Sequence, residues 1–293
     1  MATVATSALS VGAFRDFVAL TKPRITALVV ITTAGGMWLA PGHRSALHFL
    51  LTVLATATVV SAANIFNCWI ERESDRDMTR TSVRPLPAGR IAPNHALVFA
   101  FVLALISVPA LSIGVNPLTG FLGALALVLY VCVYTPMKQK SWTALLIGAV
   151  PGALPPLMGW TAATGKLEAP GLVLFGILFL WQVPHFIAIS IFRREEYERA
   201  GIVVLPSVIG DRAATLHAII YAAALLPVTL LLAPLGVAGK LYLGTATVLG
   251  LVFLGTAVMG LPRNADHAWA RRLFYVSLAY LTLLFVALTL DAR

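Results

Sequence analysis

Nine times along the chain an apolar run of about 18 to 24 residues gives way to a short polar segment. The runs lie near 24–41, 46–66, 95–113, 116–134, 142–163, 169–192, 214–235, 240–261 and 270–290. About 20 apolar residues in a helix cross the hydrocarbon core of a bilayer. Inside lipid the backbone must satisfy its own polar groups, so runs of this length have to be helical. The pattern predicts an all-α polytopic membrane protein with nine transmembrane helices, organised as a single domain over residues 1–293. The ten-residue alternation of a membrane β-barrel does not occur. The fifth run is the least regular, broken by Gly148-Ala-Val-Pro-Gly152 and by Pro155-Pro156. Gly148 and Gly152 form a small-xxx-small pair, which suits close helix approach first and a cavity wall second.

Composition agrees with the pattern and narrows it. Of 293 residues, 59% are hydrophobic and 11% charged, against about 25% charged in a soluble domain. An ordinary soluble protein and a disordered chain are both excluded. The net charge of +9 would suggest nucleic acid in a soluble protein. Here the placement of the charges carries the information, and no nucleic-acid partner is expected. Two cysteines, Cys68 and Cys132, are too few for a disulfide framework or a zinc site. Residues 1–12 are short and uncharged and resemble neither a signal nor a transit peptide. Residues 13–23, with Arg15, Asp16 and Lys22, read as a short interfacial helix before Pro23.

With the N-terminus placed in the cytoplasm, 17 of the 21 Lys and Arg fall on the inner side. Arg44, Lys166, Lys240 and Arg293 are left outside, with the C-terminus. The positive-inside rule selects this orientation. Ten of the twelve acids share the inner side. That rule makes no demand on acids, so their placement calls for another cause.

One cause lies at the end of the second run, Asn64-Ile-Phe-Asn67-Cys-Trp-Ile-Glu71-Arg-Glu73-Ser-Asp75-Arg-Asp77. If the helix continues, Asn67, Glu71 and Asp75 share one face at i, i+4 and i+8. Oxygen donors so spaced suit Mg²⁺, which takes one or two carboxylates plus substrate phosphates and water. Arg72, Arg76, Arg80 and Arg84 are interleaved with them and offer bidentate contacts to phosphate. The plainer reading is a solvated helix laced with ion pairs, Glu71 and Asp75 holding Arg72 and Arg76. Asn64 and Asn67, polar inside an apolar run, weigh toward function.

A second cluster follows the sixth run on the same side. Trp181-Gln182-Val-Pro184-His185-Phe186 leads into Arg193-Arg194-Glu195-Glu196-Tyr197-Glu198-Arg199. This charged stretch either caps a helix end or holds a second Mg²⁺ across a diphosphate from the first cluster. Lys138 and Lys140 are either diphosphate contacts or ordinary positive-inside residues. His185 is either hydrogen-bonded within the bundle or, as an ionisable residue inside a membrane, a functional group able to reach an iron porphyrin.

Taken together, "NIFNCWIERESDRDMTRTSVRPLPAGRI" at 64–91, "YTPMKQKSWTALLIGAVPGALPPLMGWTAATG" at 134–165 and "WQVPHF" with "REEYERAGIVVLP" between 181 and 206 resemble the intramembrane aromatic prenyltransferase superfamily. Within it they are similar to the haem-farnesylating branch, which WQ-x-PHF separates from quinone-making relatives. The resemblance covers most of the chain and implies a nine-helix prenyltransferase bundle in the cell inner membrane. It implies transfer of farnesyl from farnesyl diphosphate to the 2-vinyl group of haem b, with water added, giving haem O and diphosphate. Haem is then a substrate, and Mg²⁺ the one cofactor. Asn67, Glu71, Asp75 and Glu196 would be the metal ligands. Arg80, Arg84, Lys138 and Lys140 would hold the diphosphate; Trp181, Gln182 and His185 would position the porphyrin, with Tyr197 beside them. The lipid bilayer surrounds the protein, and haem A synthase or terminal oxidase assembly factors are the implied downstream partners.

The chain departs from the usual pattern of this family at four positions. Glu71 and Glu73 stand where Asp is usual, Glu196 replaces the Asp before Tyr197, and Ala144 stands where Asn is expected. Glutamate keeps the charge and adds a methylene. Two other readings remain: a relative acting on another aromatic acceptor, and a haem-handling or transport protein without chemistry. Acids gathered at one membrane face favour an active-site mouth over a translocation path.

Overall fold

The computed structural model describes residues 11–42, 45–261 and 265–292. The reading of residues 1–10, and of Arg44, Arg263 and Arg293, lies outside the described residues. Thirteen α-helices occur among those described: α1 (Val11–Leu20), α2 (Pro23–Leu39), α3 (Ala46–Ile70), α4 (Pro93–Gly114), α5 (Pro117–Val128), α6 (Thr135–Met137), α7 (Ala144–Thr164), α8 (Ala169–Phe192), α9 (Arg194–Arg199), α10 (Leu205–Ile209), α11 (Asp211–Leu230), α12 (Lys240–Val258) and α13 (His267–Leu290). Eight stretches, from α3 onward, are long and apolar enough to cross a membrane. The pair α1 and α2, bent by 49°, brings the number to nine if it counts as one span. The chain is a multi-pass membrane protein, and nine spans are consistent with these candidates.

Local chemistry sets the ends of these helices. Pro23, Pro93 and Pro117 open α2, α4 and α5 at the first turn, where the missing N–H costs nothing. Asn116 and Asp266 cap α5 and α13, their side-chain oxygens accepting from the Thr119 and Trp269 amides at 2.8 and 2.6 Å. Gly165 ends α7 in the left-handed conformation, φ 69°, which costs glycine little. Side chains on the outer surface are apolar: Ile113 is 88% and Leu47 75% exposed. In water so apolar an outer surface would drive association; in lipid it is the solvated face.

Helix α7 is the hub. It packs on α2 and α5 from the first half and on α8 from the second, while α11 and α13 pack on α8 and α12 packs on both of them. Its glycines permit this. A Cβ at Gly159 would run into the Thr33 carbonyl of α2, and one at Gly36 into the Pro156 carbonyl. The pair singled out from the sequence has another task. Gly148 makes room for the Tyr134 ring and Gly152 for the Gln182 side chain, so both lie against residues of cavity walls.

Two boundaries bear on function. The condition of a helix continuing through Asp75 is not met: α3 ends at Ile70 and Glu71 is its C-cap. A turn follows, then a 3₁₀ turn over Ser74–Asp77. In the fourth span the helix loosens into a π-helical turn at Leu129–Tyr134 before α6. Single π turns inside helices are frequent at functional sites.

Candidate active site

Although α3 stops early, its hydrogen-bond ladder does not. The Glu71 amide donates to the Asn67 carbonyl at 2.9 Å, and the Asp75 amide to the Glu71 carbonyl at 2.8 Å. This i to i+4 spacing keeps Asn67, Glu71 and Asp75 on one wall across the break. All three line a cavity of about 270 Å³, together with Lys22, Arg80, Arg84, Lys138 and Tyr197.

Each donor side chain on that wall meets a cation, two of the three cations from distant segments. Lys22 Nζ donates to Asn67 Oδ1 at 2.6 Å, and Lys138 Nζ to Glu71 Oε1 at 2.7 Å. Arg84 pairs with Asp75 Oδ2 at 2.7 Å. The local pairing of Glu71 and Asp75 with Arg72 and Arg76 does not form, because both arginines turn outward onto Glu73. Burial alone would lower the pKa of Lys138, but Tyr134 and Glu71 facing it raise its ammonium above the ordinary lysine value. Asp75 is 1% exposed, and its Oδ1 is buried without a hydrogen-bond partner. Leaving a charged oxygen in that condition is expensive. Two carboxylates, one of them with an orphaned buried oxygen, and an amide oxygen form a donor set that fits a hard divalent cation completed by phosphate and water.

The residues predicted beside this wall divide. Arg80, Arg84, Lys138 and Tyr197 line the cavity. Lys140 is exposed and does not, since two positions on from Lys138 it leaves on another side. Glu196 does not join the other three predicted metal ligands. It lines a separate cavity with Arg193, Arg194 and Arg199 and accepts from Arg193 at 2.8 Å. Burial works against its charge, yet Arg193 and the nearby Arg80 hold its carboxyl below the usual carboxylate range. Ala144 also lines the polar cavity, where a longer polar side chain would add a contact.

Behind the polar cavity lies an apolar chamber of about 470 Å³. Ile25, Tyr130, Tyr134 and Phe186 line both. The π turn presents its two tyrosines along this shared wall with rings 5.3 Å apart. Trp181, Gln182 and His185 line the chamber and not the polar cavity. The His185 ring lies between Trp181 and Phe274, at 4.7 and 4.9 Å, and its Nδ1 is tied to Ser277 Oγ at 2.7 Å. Trp181 Nε1 donates to the Ser277 carbonyl at 2.7 Å, so α13 fixes both rings. Asn64 holds the bend between α1 and α2 by donating to the Thr21 carbonyl at 3.1 Å.

Sequence reasoning missed Lys22 and the two tyrosines. Tyr130 and Tyr134, four apart in an apolar run, offered a signal. Lys22 offered none, because its approach to Asn67 is purely tertiary.

A charged mouth opening on an apolar chamber, both inside a bundle of membrane helices, suits a substrate with an anionic head and a hydrocarbon tail. Comparison with known proteins gives this class its name: residues 29–279 match the UbiA prenyltransferase family, and the chain belongs to that family. Among its relatives, protoheme IX farnesyltransferase of Myxococcus xanthus is 53% identical over 94% of each chain. The enzyme of the same name from Anaeromyxobacter sp. is 54% identical over 95% of this chain and 94% of its own. Solved structures agree on the fold. A digeranylgeranylglyceryl phosphate synthase superposes with a TM-score of 0.83 over 95% of this chain and 98% of that one, at 18% identity. A UbiA homologue from Archaeoglobus fulgidus, bound to GPP and Mg²⁺, gives 0.63 over 94% and 99%, at 15% identity.

Proposed function

We propose that this chain transfers the farnesyl group of farnesyl diphosphate to the 2-vinyl group of haem b, giving haem O and diphosphate. The observation that carries the reading is the polar cavity sharing four wall residues with an apolar chamber. It matches a diphosphate head joined to an isoprenoid tail, and the named relatives supply the acceptor. Asn67, Glu71 and Asp75 would hold Mg²⁺, whose chemistry is to neutralise charge on the leaving diphosphate. Arg80, Arg84, Lys138 and Lys22 bring fixed positive charge to the same oxygens, which lowers the cost of breaking the allylic C–O bond. Tyr130, Tyr134 and Phe186 border the place where positive charge develops on farnesyl C1, and the chamber keeps bulk water from it. The vinyl carbon then forms the C–C bond, water adds to the neighbouring carbon, and its proton leaves to solvent. Trp181, Gln182 and His185 position the porphyrin from the chamber side. By its charge bias the protein sits in the cell inner membrane with the N-terminus and polar cavity on the cytoplasmic side, passing haem O to haem A synthase or to terminal oxidase assembly factors.

The test is direct. Purified protein in detergent, given haem b, farnesyl diphosphate and Mg²⁺, is expected to yield a haem heavier by a farnesyl group plus water, and none with EDTA. No such product, from folded protein that binds farnesyl diphosphate, would mean another acceptor. His185→Ala is expected to weaken haem b binding roughly threefold to tenfold through lost stacking. Farnesyl diphosphate binding should change less, as followed by separate titrations. The opposite order would reassign His185 to the isoprenoid.

A further inference from the structure

A fourth cavity, of about 480 Å³, has no task in the reaction as described. Arg80, from the loop beyond the 3₁₀ turn, Arg193, at the end of α8, and Arg271, from the start of α13, line it. Its walls are aromatic, made by Phe192, Phe274 and Tyr275. Arg271 takes no part in the polar cavity, and among the described residues it has no carboxylate partner. Arg193 is matched by Glu196 alone. With no carboxylate among its lining residues, the cavity carries positive charge at Arg271 and Arg193 that an anion would balance. Its aromatic walls favour one attached to a flat ring system.

We propose that this cavity receives the carboxylate edge of the porphyrin, with Arg271 and Arg193 binding the two propionates of haem b. The inference rests on haem b being the acceptor. Guanidinium groups recognise carboxylates by paired hydrogen bonds, and arginine stacks on flat aromatic systems. Phe274 joins the two halves of this acceptor site, since it lines the cavity and also stacks on His185. The cavity meets the diphosphate pocket through Arg80, Ile189 and Tyr197, which line both. In haem b the vinyl groups lie on the edge opposite the propionates. Anchoring the propionates at Arg271 therefore turns the vinyl edge toward Tyr197 and the farnesyl head. Arg271 and Arg193 are accordingly positioning residues, acting on substrate atoms remote from the bond that forms.

The experiment pairs Arg271→Gln with haem b dimethyl ester, in which both propionates are capped. Haem binding is titrated by absorbance in phosphatidylcholine nanodiscs, with farnesyl diphosphate binding as the test of folding. Arg271→Gln is expected to weaken haem b about tenfold or more, leave the ester unchanged, and leave farnesyl diphosphate unchanged. Arg271→Lys should recover part of the loss. Equal weakening of haem b and the ester would overturn the proposal, since the variant would then act without the carboxylates. Haem b binding that is unchanged, with loss of retained phosphatidylglycerol in mixed nanodiscs, would overturn it in favour of a lipid headgroup. Wild-type protein that neither binds nor converts haem b would instead remove the acceptor assignment itself.

Discussion

Asp75→Ala is expected to lower turnover by at least about a hundredfold, the loss typical when a preorganised electrostatic group is removed from a transition state. Asp75 is the most buried carboxylate on the polar wall and the only one with an oxygen that is both buried and unpartnered. It does more than neutralise Arg84, which its other oxygen already does. Its loss removes a candidate ligand and releases a guanidinium into the cavity. The backbone there should survive, because the Asp75 amide and carbonyl are bonded to Glu71 and Thr81 whatever the side chain. Turnover, Mg²⁺ binding by calorimetry and helical content by circular dichroism separate the possibilities. Near-normal activity in the folded variant would remove Asp75 from the metal site.

Gly159→Ala is expected to have the largest effect on stability, about 1–3 kcal/mol by overpacking. A Cβ there would overlap the Thr33 carbonyl and stand 2.7 Å from the Met37 amide nitrogen. Both obstacles are backbone, so no change of rotamer relieves them and α2 must back away from α7. Because α2 begins next to Lys22, activity should fall as well. Gly255→Ala in α12 is the control, since its Cβ would meet nothing within 4 Å. Thermal unfolding of both variants in detergent decides the matter, and equal midpoints would mean the crossing has slack.

The spans were legible because a bilayer accepts so few solutions: 18 or more apolar residues without charge have little choice but to cross as a helix. The wall of Asn67, Glu71 and Asp75 was legible from its spacing of four, which survives the end of α3. What the same spacing could not convey is where the helix stops. Arg72 and Arg76 leave the wall while Arg80 and Arg84 reach the cavity, because beyond Ile70 the chain turns rather than continuing. Neighbours on short elements part company in the same way. Tyr197 faces the diphosphate cavity and Glu196, one residue earlier, faces Arg193. The π turn is illegible for a related reason. Leu129 to Tyr134 satisfies any helical pattern, and only its neighbours choose the wider one.

The three contacts of Lys22, Lys138 and Arg84 with the wall oxygens have a consequence for how the site fills. Both carboxylates of that wall already hold a cation, so loading a metal there is an exchange of partners rather than a simple addition. A lone dication would displace three cations with nothing to receive them. A lone diphosphate would draw those cations away and strand Glu71 and Asp75. Arriving as one ion pair, the dication meets the carboxylates while the diphosphate meets the cations they release. Filling such a pocket with the metal and the diphosphate together is expected to cost less than filling it with either half.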